Sequence, residues 1–282
     1  MKKLAQNRQS RSSSPFAKRS LGQNFLVDLN VVKKIVAALG PIEDDLVIEI
    51  GPGRGALTQE LAAHAKRFIG IELDRVFARN LAREYRDEAS VRIVEGDVLL
   101  IDFAEAASGF TDVDDIKIVA NLPYNISTAV LEKLAGVELD YSQAVLMFQK
   151  EVVSRITARP GNRDRGYLTV ITEASFETEL LFDVHPRSFK PAPRVRSAVV
   201  RVKPLKNRVS TDPTIFRAVV SAGFRQKRKT IANNIKQIAG IDDAKALLSN
   251  ADVDPKLRPE ALAIEDWMRI ASLISLKKAD QT

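Results

Sequence analysis

The chain contains no cysteine. That absence excludes disulfides, thiolate zinc sites and every mechanism that needs a cysteine nucleophile, including the covalent route to methylating pyrimidine carbons. Histidine is nearly as scarce. His64 and His185 are the whole complement, too few and too far apart in sequence for a histidine-based metal cluster, so no metal is expected. No apolar window approaches the ~20 residues that a membrane-spanning helix requires. The start, MKKLAQNRQSRSSSP, has no apolar stretch to serve as a secretory signal. These absences predict a cytoplasmic protein with no membrane partner. Acidic residues are missing locally as well: residues 1 to 25 hold six Lys/Arg and no acid, and residues 185 to 229 hold thirteen Lys/Arg against Asp212 alone. With a net charge of +7 overall, the rest of the chain is acidic. Two basic segments on an acidic body predict a polyanionic partner, because clustered Lys and Arg release the counterions condensed on phosphates. An acid-free, Arg- and Ser-rich start is also compatible with an organelle leader, which ranks behind a disordered basic arm.

At 282 residues, 45% of them hydrophobic, the chain can build one large domain or a large and a small one. VDLNVVKKIVAAL spaces its apolar residues as an amphipathic helix, with Asp28 or Asn30 as cap and Gly40-Pro41 as stop. Short β-branched runs follow at 46–50, 67–71, 91–94, 116–120 and 144–148, separated by helix-length stretches. Strands apolar on both faces, alternating with helices, predict a parallel sheet covered on both sides. TELLFDV and SAVVRVKP flank the proline-rich HPRSFKPAPRVR and predict a late antiparallel pair; from about Thr211 only helical patterns remain, QKRKTIANNIKQIAG among them. The expected organisation is a basic arm over 1–20, an α/β domain over 21–208 and a small all-helical domain over 209–282 whose basic start suits a nucleic acid.

VIEIGPGRGALT reads as a strand, a glycine-rich turn and a helix start. Gly51, Gly53 and Gly55 let the backbone turn tightly and approach a ligand. Glu72 closes the next strand, where a carboxylate can accept both hydroxyls of a ribose. Gly51-x-Gly53-x-x-Ala56 fits a dinucleotide as well as S-adenosylmethionine (SAM), so this element alone predicts only an adenosine-type pocket. Glu49, whose charge would repel a pyrophosphate, and Asp97, an acceptor positioned to read an adenine amine, favour SAM. ANLPYNIST then supplies chemistry. Adenine's exocyclic amine is a poor nucleophile because its lone pair is delocalised. A side-chain amide oxygen and a backbone carbonyl that accept its hydrogens favour the pyramidal, reactive form while aromatic faces hold the base. Asn121 offers the amide, Leu122 the carbonyl, Pro123 the fixed backbone and Tyr124 the face.

In this order KRSLGQNFLVD, VIEIGPGRGALT, IELD, EGDVL, NLPYNIST, QKEVVSRI, FKPAPRVRSAVVR and FRQKRKTIANN resemble the KsgA type of small-subunit ribosomal RNA adenine dimethyltransferases, from about Lys18 to about Ile274. The resemblance implies a class I SAM-dependent methyltransferase fold, a Rossmann-like sheet with a helical C-terminal domain. It implies SAM contacts from Asn24, Leu26, Gly51, Glu72, Asp97 and Asn121, and target-adenine contacts from Asn121, Leu122, Pro123 and Tyr124. Phe189 would stack opposite Tyr124. The implied reaction is dimethylation, on two adjacent adenines near the 3′ end of 16S RNA, with free RNA or a pre-assembled small subunit as partner and the enzyme acting as a monomer. Arg194 beside Phe189, and Arg225, Lys227, Arg228 and Lys229 in FRQKRKT, are expected to contact RNA phosphates. One segment departs from the family pattern: RGYLTV carries Arg165 where YGxLSV has tyrosine. The alternatives are a resistance-type dimethyltransferase of large-subunit RNA, a non-catalytic RNA-binding factor for ribosome assembly or organelle transcription on the same fold, and, last, a nicotinamide oxidoreductase.

Overall fold

A computed structural model describes residues 24–122, 126–205, 212–238 and 241–279. The basic arm, Pro123 and Tyr124 lie outside the described residues. In chain order the elements are β1 (Phe25–Leu26), α1 (Leu29–Ala38), β2 (Leu46–Ile50), α2 (Thr58–His64), β3 (Arg67–Glu72), α3 (Arg75–Glu84), β4 (Val91–Glu95), α4 (Phe103–Ala107), β5 (Ile116–Asn121), α5 (Ser127–Gly136), β6 (Gln143–Gln149), α6 (Lys150–Ile156), α7 (Tyr167–Glu173), β7 (Phe176–Val184), β8 (Phe189–Lys190) and β9 (Ser197–Pro204), followed by α8 (Pro213–Gly223), α9 (Ile231–Ile235), α10 (Ala244–Asn250) and α11 (Ile264–Ala279). Asp28 caps α1 through the Asn30 amide at 3.0 Å.

Seven strands form one sheet in the order β4-β3-β2-β5-β6-β9-β7. The first five are parallel, β9 runs antiparallel to β6, and β7 runs antiparallel to β9. Alternate residues of the same strands feed two cores, as a pleated strand with both faces covered requires. Ile48, Ile50, Ile118 and Leu146 pack against Phe103 and the α5 residues Val130 and Leu131. Val47, Phe68, Val119 and Val145 pack on the opposite face against Val32 and Ile35 of α1 and Leu61 of α2. β2 connects onward to β3 on one side while β5 pairs on its other side. The chain therefore reverses direction of growth between β2 and β5, and such a switch point opens a crevice at the strands' carboxyl ends.

The helical region has its own core around the fully buried Trp267, with Phe216 and Val220 of α8, Ile231 and Ile235 of α9 and Leu248 of α10. Phe224 stacks on the indole at 5.2 Å, and a Cβ on Gly223 would lie 2.4 Å from the ring. This core also takes Val170, Ile171 and Ala174 from α7 and the residue after it, so a helix between the α/β strands in sequence packs with α8–α11 in space. Arg165, the residue that departs from the family's tyrosine, is fully buried at this junction. Its guanidinium donates to the carbonyls of Ala158 and Leu262, both at 3.1 Å, and to Glu173 at 2.6 Å.

One sequence expectation differs in extent. QKRKTIANNIKQIAG reads as a long helix, whereas among its described residues only Ile231–Ile235 is α-helical and the Arg225–Lys229 stretch is a series of turns. The buried Asn234 side chain accepts from the Gln226 amide (3.2 Å) and donates to the Gln226 carbonyl (3.1 Å). A side-chain amide thus supplies the partners that another helical turn would have used. No helix among the described residues is long and apolar enough to cross a membrane.

Candidate active site at the sheet switch point

The loop after β2 turns through three glycines with positive φ, Gly51 at 72°, Gly53 at 57° and Gly55 at 80°, where a Cβ would be strained. The Gly51 amide donates to the Ile71 carbonyl at 2.9 Å, fixing the loop to the end of β3. Glu72, the last residue of β3, is buried. Its Oε2 accepts from the Gly53 amide and its Oε1 from the Asp74 amide, each at 2.7 Å. The carboxylate is therefore held rigidly with lone pairs left to accept from a ligand's hydroxyls. Burial raises its pKa, and the two amides counter that rise.

Glu49, two residues before Gly51, is 2% exposed and accepts from the Thr58 hydroxyl at 2.6 Å. Burial, with a further push from the Glu72 charge, moves its pKa up to about 8 against the Thr58 hydrogen bond. At neutral pH this carboxyl is mainly protonated, and a cationic ligand beside it would favour ionisation.

Two distant segments close the cleft. β1 pairs antiparallel with β8, which sets Leu26 opposite Phe189 and Phe25 opposite Lys190. The Val27 amide donates to the Ser188 carbonyl at 2.8 Å, and the Ser188 hydroxyl to Asp28 at 3.0 Å. Phe25 stands edge-on to Phe77 at 5.3 Å, and a Cβ on Gly53 would meet its ring at 3.3 Å. From β5, Asn121 ends the strand opposite Met147 and Leu122 follows, buried.

Asn24, Leu26, Gly51, Glu72, Asn121, Leu122 and Phe189 thus line one cleft enclosing about 720 Å³, part of it open to solvent. Asp97 does not line it. It sits beyond the end of β4, where its side chain accepts from the Leu99 amide at 2.9 Å, although the neighbouring Gly96 amide donates to the Glu72 carbonyl at 2.9 Å. Arg194 is exposed on the loop before β9. Arg225, Lys227, Arg228 and Lys229 are exposed on the helical region, apart from the cleft. A Cβ on Gly166 would meet the Lys227 ammonium at 3.4 Å, so this basic turn adjoins the loop that Arg165 anchors. Phe25 and Arg54 also line the cleft and escaped the sequence reading; the signal for Phe25 was its place between Asn24 and Leu26.

The donor set discriminates between the two adenosine-type ligands. A pyrophosphate would meet the Glu72 carboxylate and hold Glu49 in its neutral form, whereas a ribose diol is complementary to Glu72 and a sulfonium cation favours the ionised form of Glu49. The residues fit SAM.

Comparison with known proteins agrees. Residues 16–276 match the ribosomal RNA adenine dimethylase family. The chain is 42% identical over 264 residues to ribosomal RNA small subunit methyltransferase A of Neisseria meningitidis, covering 93% of this chain and 97% of the relative. It is 41% identical over 269 residues to the protein of that name from Chromobacterium violaceum, covering 95% and 99%. Among solved structures, a dimethyladenosine transferase from Plasmodium falciparum superposes with a TM-score of 0.77 at 25% identity over 90% of this chain and 98% of the other. The 23S rRNA methyltransferase ErmE superposes with a TM-score of 0.65 at 25% identity over 89% and 99%. The chain belongs to the ribosomal RNA adenine dimethylase family, SAM-dependent methyltransferases with a Rossmann-like α/β sheet.

Proposed function

We propose that this chain transfers methyl groups from SAM to the exocyclic amine of adenines in small-subunit ribosomal RNA, two per adenine and on two adjacent adenines near the 3′ end of 16S RNA. In this reading it acts in the cytoplasm, as a monomer and without a metal, on free RNA or a partly assembled subunit. The observation that carries the proposal is the meeting of Asn121 and Leu122 with the glycine loop and Glu72 in one cleft. The small-subunit relatives at about 40% identity support the choice of RNA.

SAM supplies an electrophilic methyl group on a cationic sulfur. Glu72 accepts from the ribose hydroxyls, Gly51 lets the backbone approach, and Asn24, just before β1, and Leu26, within it, cover the pocket. Asp97, just beyond the end of β4, reads the adenosine amine. The Asn121 amide oxygen and the Leu122 carbonyl accept the hydrogens of the target amine and favour its nucleophilic form. By the N-L-P-Y motif, Pro123 fixes the local backbone and Tyr124 stacks on the base, with Phe189 on the opposite side. After transfer the alkylated ammonium is acidic enough to release its proton to water, so the residues need only orient and desolvate the amine. For the second methyl the site accommodates a methyl where a hydrogen had been. The α/β region over 21–208 carries this chemistry. The helical region over 209–282 and Arg194 hold RNA phosphates, with Arg225, Lys227, Arg228 and Lys229 as the main contacts.

The test is incubation with methyl-labelled SAM and undermethylated small subunits, followed by digestion of the RNA. Labelled dimethyladenosine in small-subunit RNA is expected. Label in large-subunit RNA would establish the resistance-type activity instead, and no label would leave an RNA-binding scaffold. Asn121→Ala should lower the rate by about 10²–10³-fold, the usual cost of removing one preorganised polar group at a reacting centre, while cofactor affinity weakens only partly. Unchanged turnover in that variant removes the role given to the motif.

A further inference from the structure

The cleft carries a charge arrangement that the proposed reaction does not use. Among the described residues lining it, Glu49 and Glu72 are the acids and Arg54 is the one cation. Arg54 sits at the tip of the glycine loop, between Gly53 and Gly55, and its guanidinium carbon lies 4.2 Å from the centroid of the Phe25 ring. Phe25 is held in turn by its edge contact with Phe77, its proximity to Gly53 and the pairing of β1 with β8. A long, exposed arginine side chain would otherwise sample many rotamers; stacking on a fixed ring restricts it to the mouth of the cleft.

A ligand of the SAM type brings three kinds of charged or polar group: ribose hydroxyls, a cationic sulfur, and an amino-acid end with an ammonium and a carboxylate. Glu72 suits the hydroxyls, and two carboxyls in the cleft suit the cations. Neither suits the carboxylate, which Glu72, and Glu49 once a cationic cofactor has ionised it, would repel. Resting on the reading of the cleft as a SAM site, we infer that Arg54, preorganised on the face of Phe25, is the receptor for the carboxylate of the cofactor's amino-acid end. Stacking engages the face of the guanidinium, whereas its N–H donors lie in its plane, the geometry for paired hydrogen bonds to a carboxylate. Arg54 thereby makes the cleft selective for cofactors that keep the amino-acid end over adenosine thioethers that lack it.

The experiment is calorimetric titration of wild type, Arg54→Ala and Arg54→Lys with S-adenosylhomocysteine and, separately, with 5′-methylthioadenosine, which has the nucleoside and sulfur but no amino-acid end. Arg54→Ala should weaken S-adenosylhomocysteine by about tenfold or more, the scale of one charge-assisted hydrogen bond, and leave 5′-methylthioadenosine within about twofold. Arg54→Lys should recover part of the loss, because charge is kept and the planar fork is not. Equal losses for both ligands, or none for S-adenosylhomocysteine, would overturn the inference. So would an Arg54→Ala protein that binds S-adenosylhomocysteine normally but RNA weakly, since it would show Arg54 to be a phosphate contact. Failure of the underlying reading looks different: wild type itself would bind neither compound.

Discussion

Replacing Glu49 with glutamine isolates the electrostatics of the cleft. The substitution keeps shape and an acceptor for the Thr58 hydroxyl, now 2.6 Å from Glu49 Oε2, but removes the titration. In the folded protein burial lifts the Glu49 pKa from its ordinary 4.5 to about 8. Between those values the folded state holds a proton that the unfolded chain has released, so stability declines as pH rises. This group's contribution is fully present below pH 4.5 and is lost by the time pH passes 8. One proton corresponds to about 1.4 kcal/mol per pH unit. Glu49→Gln should therefore gain on wild type by about 3 kcal/mol between pH 5.5 and 7.5. Urea unfolding followed by circular dichroism at pH 5.5, 6.5 and 7.5 reads this directly, because every other titrating group is common to both proteins. Profiles that run parallel, with a constant difference, would show that Glu49 is already ionised in the folded state and would refute the argument from burial. The same reasoning has a ligand-linked consequence. A cationic cofactor beside Glu49 favours the ionised form, so binding at pH 7 to wild type should release a proton that Glu49→Gln does not release.

Two further substitutions probe the helical region. Gly223→Ala puts a Cβ 2.4 Å from the ring of Trp267, which is fully buried and has no room to give; a loss of about 1–3 kcal/mol is expected, read from the fluorescence of the chain's single tryptophan, and wild-type stability would show that the helices repack freely. Replacing Lys227, Arg228 and Lys229 together with glutamate should weaken RNA binding and flatten its dependence on salt by about three units of slope, roughly one for each phosphate no longer neutralised. S-adenosylhomocysteine affinity should not change, and an unaltered salt slope would remove this turn from the RNA interface.

The parallel sheet was legible because β2, β3, β5 and β6 are buried on both faces and, with the half-buried edge strand β4, stand out as β-branched runs between helices. All five sequence-predicted parallel strands recur within about two residues of their expected limits. Strand order was not legible. Strands that are apolar on both sides carry no pattern saying which neighbour each takes, and the insertion of β9 between β6 and β7 depends on pairings made only in the folded sheet. The basic turn was misread for a related reason. Lys, Arg and Gln favour helix on propensity alone, but the buried amide of Asn234 competes for the Gln226 backbone, a tertiary interaction that no local window contains. α7 escaped because a seven-residue helix leaves little periodicity, and its place in the helical core is held by neighbours more than forty residues away.

The site divides along the same line. β2 pairs Ile50 with Ile71 of β3 and with Ala120 of β5. The next residue along each strand is Gly51, Glu72 and Asn121, so a glycine turn, a carboxylate and an amide arrive in one row at the carboxyl edge. That each of these residues ends its strand was legible in the sequence; that the three stand in one row follows from the adjacency and register of β3, β2 and β5, which only the folded sheet supplies. Phe25, Arg54 and the wall made by Phe189 follow from no such register. Phe25 and Phe189 meet through the two-residue pairing of β1 with β8, contributed by segments far apart in the chain and too short to have a period, and Arg54 joins them from the glycine loop by stacking on Phe25. The floor of the cleft is thus set by sheet register and its cover by tertiary packing, and selectivity for the cofactor's far end belongs to the cover.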